Sequence, residues 1–199
     1  MLLFSLIIIL FSAIIHEYMH AWMADYLGDS TAKKYGRLTL NPISHIDLWG
    51  SIIMPALIYF GTAGSFIFGY AKPVPFNPDN LLDKKYGAAK VAAAGPCANF
   101  VTALLFGLLL RFNFAPNPIF ITLMAIIIQI NLVLMIFNLL PIPPLDGSKI
   151  IMPFLPNHWK TKFIEFEQYG MLFLLIFIML GFSIITPIIR FLFFLITGI

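Results

Sequence analysis

Uncharged, mostly apolar runs recur along the chain at residues 48–71, 91–110, 119–140 and 168–189. Each reaches the length of about 20 residues that a helix needs to span bilayer hydrocarbon, so each predicts a membrane segment. A fifth candidate, residues 2–27, opens on uncharged residues and then carries His16, Glu17, His20 and Asp25 before a stop at Gly28. Residues 157–168 differ: Trp159, Phe163 and Phe166 fall on one helical face and Lys160, Glu165 and Glu167 elsewhere. That is the pattern of a helix lying in the membrane interface. The stretch after Pro187 is only about a dozen residues, too short to cross, with Arg190 placed to snorkel to a headgroup. The alanine-rich stretch 88–98 predicts close approach between helices.

Composition removes the soluble alternative. The chain is 60% hydrophobic and 11% charged, against roughly 25% charged in ordinary soluble domains, and 199 residues cannot enclose so much apolar surface in an aqueous core. The expected fold class is an all-α polytopic membrane protein of about five to six membrane segments. It reads as one domain over 1–199, with a core at 1–152, the interfacial helix at 157–168 and C-terminal membrane segments at 168–199. The first segment lacks a basic n-region and an Ala-x-Ala site, so it reads as a retained helix and not a signal peptide. Cys97 is the one cysteine, which excludes an internal disulfide and a cysteine metal cluster.

A net charge of +3 is too small and scattered to imply a nucleic-acid partner. The basic residues report orientation instead. Lys33, Lys34 and Arg37, then Lys72, Lys84 and Lys85, then Lys149, Lys160 and Lys162 fall in three loops that the positive-inside rule puts in the cytoplasm. If 28–46 and 72–86 share one side, the run between them is no simple crossing. It reads as a re-entrant region: 48–60 enters as a helix, Gly61, Gly64 and Ser65 allow a bend, and 66–76, with Pro73 and Pro75, returns as a short β-like element. Extended backbone at that depth is tolerable only when buried in protein or lining an aqueous cavity. A plain transmembrane helix is the other reading of this run.

His16-Glu17-Tyr18-Met19-His20 is an HExxH pattern inside a helix. Residues i and i+4 share a helical face, so both imidazoles can reach one zinc ion while Glu17 stands beside it as general base. An ionisable residue in a transmembrane segment costs about 2.5–3.5 kcal/mol on insertion scales, so a glutamate there calls for a partner, which zinc supplies. A catalytic zinc site takes three protein ligands and keeps a position open. Most remaining His and acidic residues sit in charged loops where solvation explains them. Asp146 does not, because it follows an uncharged helix directly; it is the favoured third ligand, with His45 the rival. Asp146 and the histidines reach one membrane face only if an even number of crossings separates them, which the re-entrant reading of 48–76 provides.

HEYMH (16–20), GRLTLNPISHID (36–47), FGYAKPVPFNP (68–78), GPCAN (95–99) and NLLPIPPLDG (138–147) together look like the site-2 protease family of intramembrane zinc metalloproteases. The matches span 16–147, about two thirds of the chain, in order. The residues read as a compact member, with no PDZ-like insertion and no C-terminal regulatory domain. The resemblance implies one zinc per chain held by His16, His20 and Asp146, with Glu17 as general base. It implies cleavage of transmembrane protein substrates within the lipid bilayer, and the loop charges put the active site towards the cytoplasmic side of a cell membrane. Family members place asparagines near the site, which maps onto Asn138 and Asn99 as substrate or oxyanion contacts; interhelical hydrogen bonding is the other reading of Asn138, Asn99, Gln129 and Asn131. Residues 36–42 alternate like a short strand, and an edge there or at 70–76 is placed to pair with an unwound substrate. Two other functions fit less of the pattern: a different class of membrane HExxH peptidase, and an inactive zinc-binding scaffold. The oligomeric state has no signature in the residues.

Overall fold

The computed structural model describes residues 1–61, 72–112 and 117–199, and among these the backbone is helical, with no strand. Helix α1 is Leu2–Tyr26, a short α2 is Thr31–Lys34, and a wide π-type turn at Leu48–Ile53 leads into α3, Met54–Gly61. Helices α4 (Gly87–Arg111) and α5 (Pro118–Asn138) follow, then α6 (Asp146–Ile151), α7 (Asn157–Glu167), α8 (Gly170–Ile176) and α9 (Phe182–Thr197). Three of them, α1, α4 and α5, are long and apolar enough to cross a membrane. At about 1.5 Å per residue, 25 residues reach roughly 37 Å, more than the ~30 Å hydrocarbon core.

Local chemistry sets the ends of these helices. Gly28, at φ +104°, turns the chain out of α1, and Asp29 N donates to Ala24 O at 2.8 Å to close the last turn. Asp83 closes the turn that leads into α4, its carboxylate accepting from Tyr86 N at 2.9 Å. Asn117 caps α5 through Ile119 N at 2.8 Å, with Pro118 in the first helical position, where a missing N–H is harmless.

Helices α1 and α4 run antiparallel. Ser12 lies beside Asn99 and His20 beside Val91, so rising numbers in one match falling numbers in the other. The last turn of α1 and the first of α4 therefore share one end, where Leu82 N donates to Leu27 O at 2.9 Å and Leu81 packs with Ala24 and Val91. The chain from 28 to 86 makes no net passage between the two ends. The bend at Gly64 and Ser65, and the part of the proposed return at 66–71, lie outside the described residues; Lys72–Asn77 have no regular secondary structure, and Asn77 is extended at φ −111°, ψ 111°.

Three expectations change. Residues 36–42 alternate in sequence but form a turn and bends that run into a 3₁₀ turn at Pro42–Ser44. The alternation does not sort by burial, since Arg37 is buried and Leu40 exposed, and Asn41 accepts from Ile43 N at 3.1 Å to turn the chain where a strand would continue. The membrane run expected at 168–189 is also divided differently. Helix α9 continues through Pro187 to Thr197, and the irregularity falls instead at the π-type stretch Phe177–Gly181. Packing against other helices lets a membrane helix tolerate one lost hydrogen bond, and one face of α9 packs in this way: Ile185, Ile189 and Ile196 lie with Ala103, Leu110, Ile128 and Leu132 in the main apolar cluster. Finally, the third ligand candidate opens a short helix that hydropathy does not mark. Gly147 permits it, since a Cβ there would lie 2.2 Å from Leu139 O.

Candidate metal centre

His16 and His20 project from one face of α1 towards the first turn of α6. Their Nε2 atoms lie 3.0 and 3.2 Å from one oxygen, Asp146 Oδ2. The two rings stand nearly perpendicular, at 83°, with centroids 4.6 Å apart. His16 and Asp146 are buried. Among the described residues this is the one group of three His, Cys, Asp or Glu side chains whose ligand atoms come within 4.8 Å of one another.

The hydrogen bonds behind the rings decide what the front can hold. His16 Nδ1 donates to Asn99 Oδ1 at 2.6 Å, and His20 Nδ1 donates to Val91 O at 2.7 Å. In a neutral imidazole with Nδ1 protonated, Nε2 carries a lone pair. Two lone pairs and a carboxylate oxygen at about 3 Å repel one another unless positive charge sits between them. A tetrahedral zinc with bonds of about 2.0 Å would separate its ligands by roughly 3.3 Å, and the two histidine-to-carboxylate separations of 3.0 and 3.2 Å are close to that. Gly95 of α4 keeps the space beside the two imidazoles free: a Cβ there would lie 2.5 Å from both Nε2 atoms. The donor set, its tautomers and this cradle fit a zinc ion.

Asn99 is fully buried and spends its side chain inside the protein. Besides accepting from His16, it donates to Asn131 Oδ1 at 3.0 Å and Ser12 O at 3.4 Å, while Asn131 donates to Ser12 Oγ at 3.0 Å. Asn138 is half-buried and turns its amide nitrogen back to Leu134 O at 2.9 Å. His45 lies apart from the three-residue group: it is buried, with Nε2 donating to Thr39 O at 2.7 Å. Glu17 accepts from Val74 N at 3.0 Å. Sequence reasoning missed the pairing of Asn99 with His16, the cradle at Gly95 and the Val74 amide. A glycine and an asparagine four apart in GPCAN, one helical turn, were the available signal for the first two.

Residues 113–181, which include Asp146 but not the HExxH pattern, match the profile of peptidase family M50. The chain is 38% identical over 194 residues to YwhC of Bacillus subtilis, which carries the name of a zinc metalloprotease, covering 92% of this chain and 84% of that protein. Rip2 of Mycolicibacterium smegmatis and MJ0611 of Methanocaldococcus jannaschii carry the same kind of name. Rip2 is 30% identical over 84% of this chain and 63% of its own length. MJ0611 is 30% identical over 74% of this chain and 68% of its own length. No solved structure matches. On the relatives and the profile together, the chain belongs to peptidase family M50, the site-2 protease family.

Proposed function

We propose that the protein is an intramembrane zinc metalloprotease that hydrolyses peptide bonds within or near transmembrane segments of other membrane proteins. The observation that carries this is the convergence of His16, His20 and Asp146 among helices long and apolar enough to cross a bilayer. Zinc, when bound, supplies Lewis acidity to a carbonyl oxygen and lowers the pKa of water towards neutrality. His16 and His20 hold the ion through Nε2 as neutral ligands, oriented from behind by Asn99 and the Val91 carbonyl. Asp146 contributes the negative charge that makes two imidazoles a tight site. Glu17, adjacent to His16, accepts the proton from water and returns it to the leaving amine. One ion per chain is the reading of a single three-donor set.

The site end of the bundle carries Lys33, Lys34, Lys84, Lys85 and Lys149, and the opposite end carries Arg111. This supports a cytoplasmic site in a multi-pass protein of the cell membrane. It also supports a re-entrant course for 48–71, because the chain leaves α1 and enters α4 at that same end. The test is to purify wild type and Glu17→Gln in detergent, measure zinc, and assay both on model transmembrane substrates. Both are expected to hold about one zinc per chain while cleavage falls by about 10²–10⁴-fold in the variant. Equal cleavage by the two, or wild type without zinc, would overturn the reading.

A further inference from the structure

We infer that residues 72–77 form a rigid strap whose Val74 amide positions Glu17; the inference rests on the reading of Glu17 as general base. The sequence itself makes the strap stiff. In Lys72-Pro73-Val74-Pro75, Lys72 and Val74 each precede a proline, and the clash with its ring biases both to extended backbone. Each proline fixes its own φ and has no N–H. Val74 therefore carries the one main-chain donor in 73–75. A slip of one residue either way would set a proline nitrogen, which has no N–H, against the carboxylate.

The strap is pinned on both sides of that donor. Lys72 N donates to His45 O at 2.9 Å. Asn77 N donates to Asp29 Oδ2 at 2.6 Å, and Asp29, itself fully buried, also binds Thr31 and the Asn80 side chain. Between the pins, Val74 N reaches Glu17 Oε2 at 3.0 Å. An amide donating to a carboxylate forms a charge-assisted bond, shorter-ranged and more directional than a general attraction. It holds one oxygen of a long, flexible side chain and leaves Oε1 for proton transfer. Val74 acts through Glu17, and is a positioning residue.

Two measurements test this. Val74→Pro removes the N–H while suiting the extended backbone, and Val74→Ala keeps the N–H while shortening the side chain. Val74→Pro is expected to lower kcat by about 10–100-fold with KM within about twofold and zinc content unchanged, and Val74→Ala to keep the wild-type kcat. Independently of turnover and of how well Val74→Pro folds, amide hydrogen exchange at Val74 should be slow in wild type. It should accelerate in Glu17→Ala while Asn77 stays slow. Wild-type kcat in Val74→Pro, an equal loss in Val74→Ala, a change confined to KM, or Val74 exchange indifferent to Glu17→Ala would overturn the strap. If Glu17→Gln is inactive, those results sink the strap alone; full activity in Glu17→Gln would overturn the base assignment and the strap with it.

Discussion

The two halves of α4 meet their neighbours in different ways. Its first half faces α1 through polar contacts, with Gly95 against two imidazoles and Asn99 against His16. Its second half faces α5 and α9 through Ala103, Gly107 and Leu110 in an apolar cluster. Both halves demand a small residue at one point, and the reasons differ. A Cβ at Gly95 would lie 2.5 Å from two nitrogens that hydrogen bonds hold in place from behind. A Cβ at Gly107 would lie 2.1 Å from Ile196 Cγ2, a methyl with no directional bond to lose. Crowding in the first half attacks chemistry; in the second it attacks packing.

The sharpest way to break that contrast is Gly95→Ala. It should abolish zinc binding and reduce cleavage more than about 100-fold while the helices still assemble, as read by metal analysis and circular dichroism. Next comes Asn99→Ala, which leaves His16 free to turn and change tautomer. Zinc affinity, measured by chelator competition, should fall about 10–100-fold. Gly107→Ala should leave zinc affinity unchanged and cost about 1–3 kcal/mol of stability through overpacking against α9. Ile128→Val, in the same cluster, should cost about 0.5–1.5 kcal/mol, again with zinc retained. A loss of zinc in either of the last two would mean the halves are coupled.

The smallest effect sharpens the picture at the site end. Burial opposes ionisation of Asp29, but hydrogen bonds from Thr31, Asn80 and Asn77 outweigh it and hold the carboxyl below its ordinary value of 3.8. Its charged form therefore stabilises the folded loop at neutral pH. That contribution is lost as pH falls below the ordinary value and through the lowered one. Asp29→Asn should be less stable than wild type at pH 7, and the gap should close in acid below about pH 3.8.

Much of this contrast was legible in the residues. The uncharged runs at 91–110 and 119–140 gave α4 and α5, and the apolar opening of 2–27 gave α1, because lipid imposes a length and disfavours charge; the run at 168–189 is instead divided between α8 and α9. The i, i+4 histidines announced their shared face for the same geometric reason. Asp146 stood out because solvation did not explain it. What stayed hidden depends on the backbone or on a partner far along the chain. The Val91 carbonyl behind His20 and the Val74 amide on Glu17 have no side-chain signature. Asn99 could as well have faced substrate; only its place one turn from Gly95 directs it to His16. The alternation in 36–42 misled because a strand needs a neighbour to bond, and here the apolar Leu40 is exposed while the polar Arg37 is buried.

Asp146 lies 130 positions after His16. A ribosome working at about 5–20 residues per second makes the imidazole pair roughly 6–26 s before the carboxylate that completes it. Through that interval the nascent chain offers two donors where three are needed. On the proposed ligand set, a centre divided in this way would be completed by translation itself, once α1, α4 and α5 have been made.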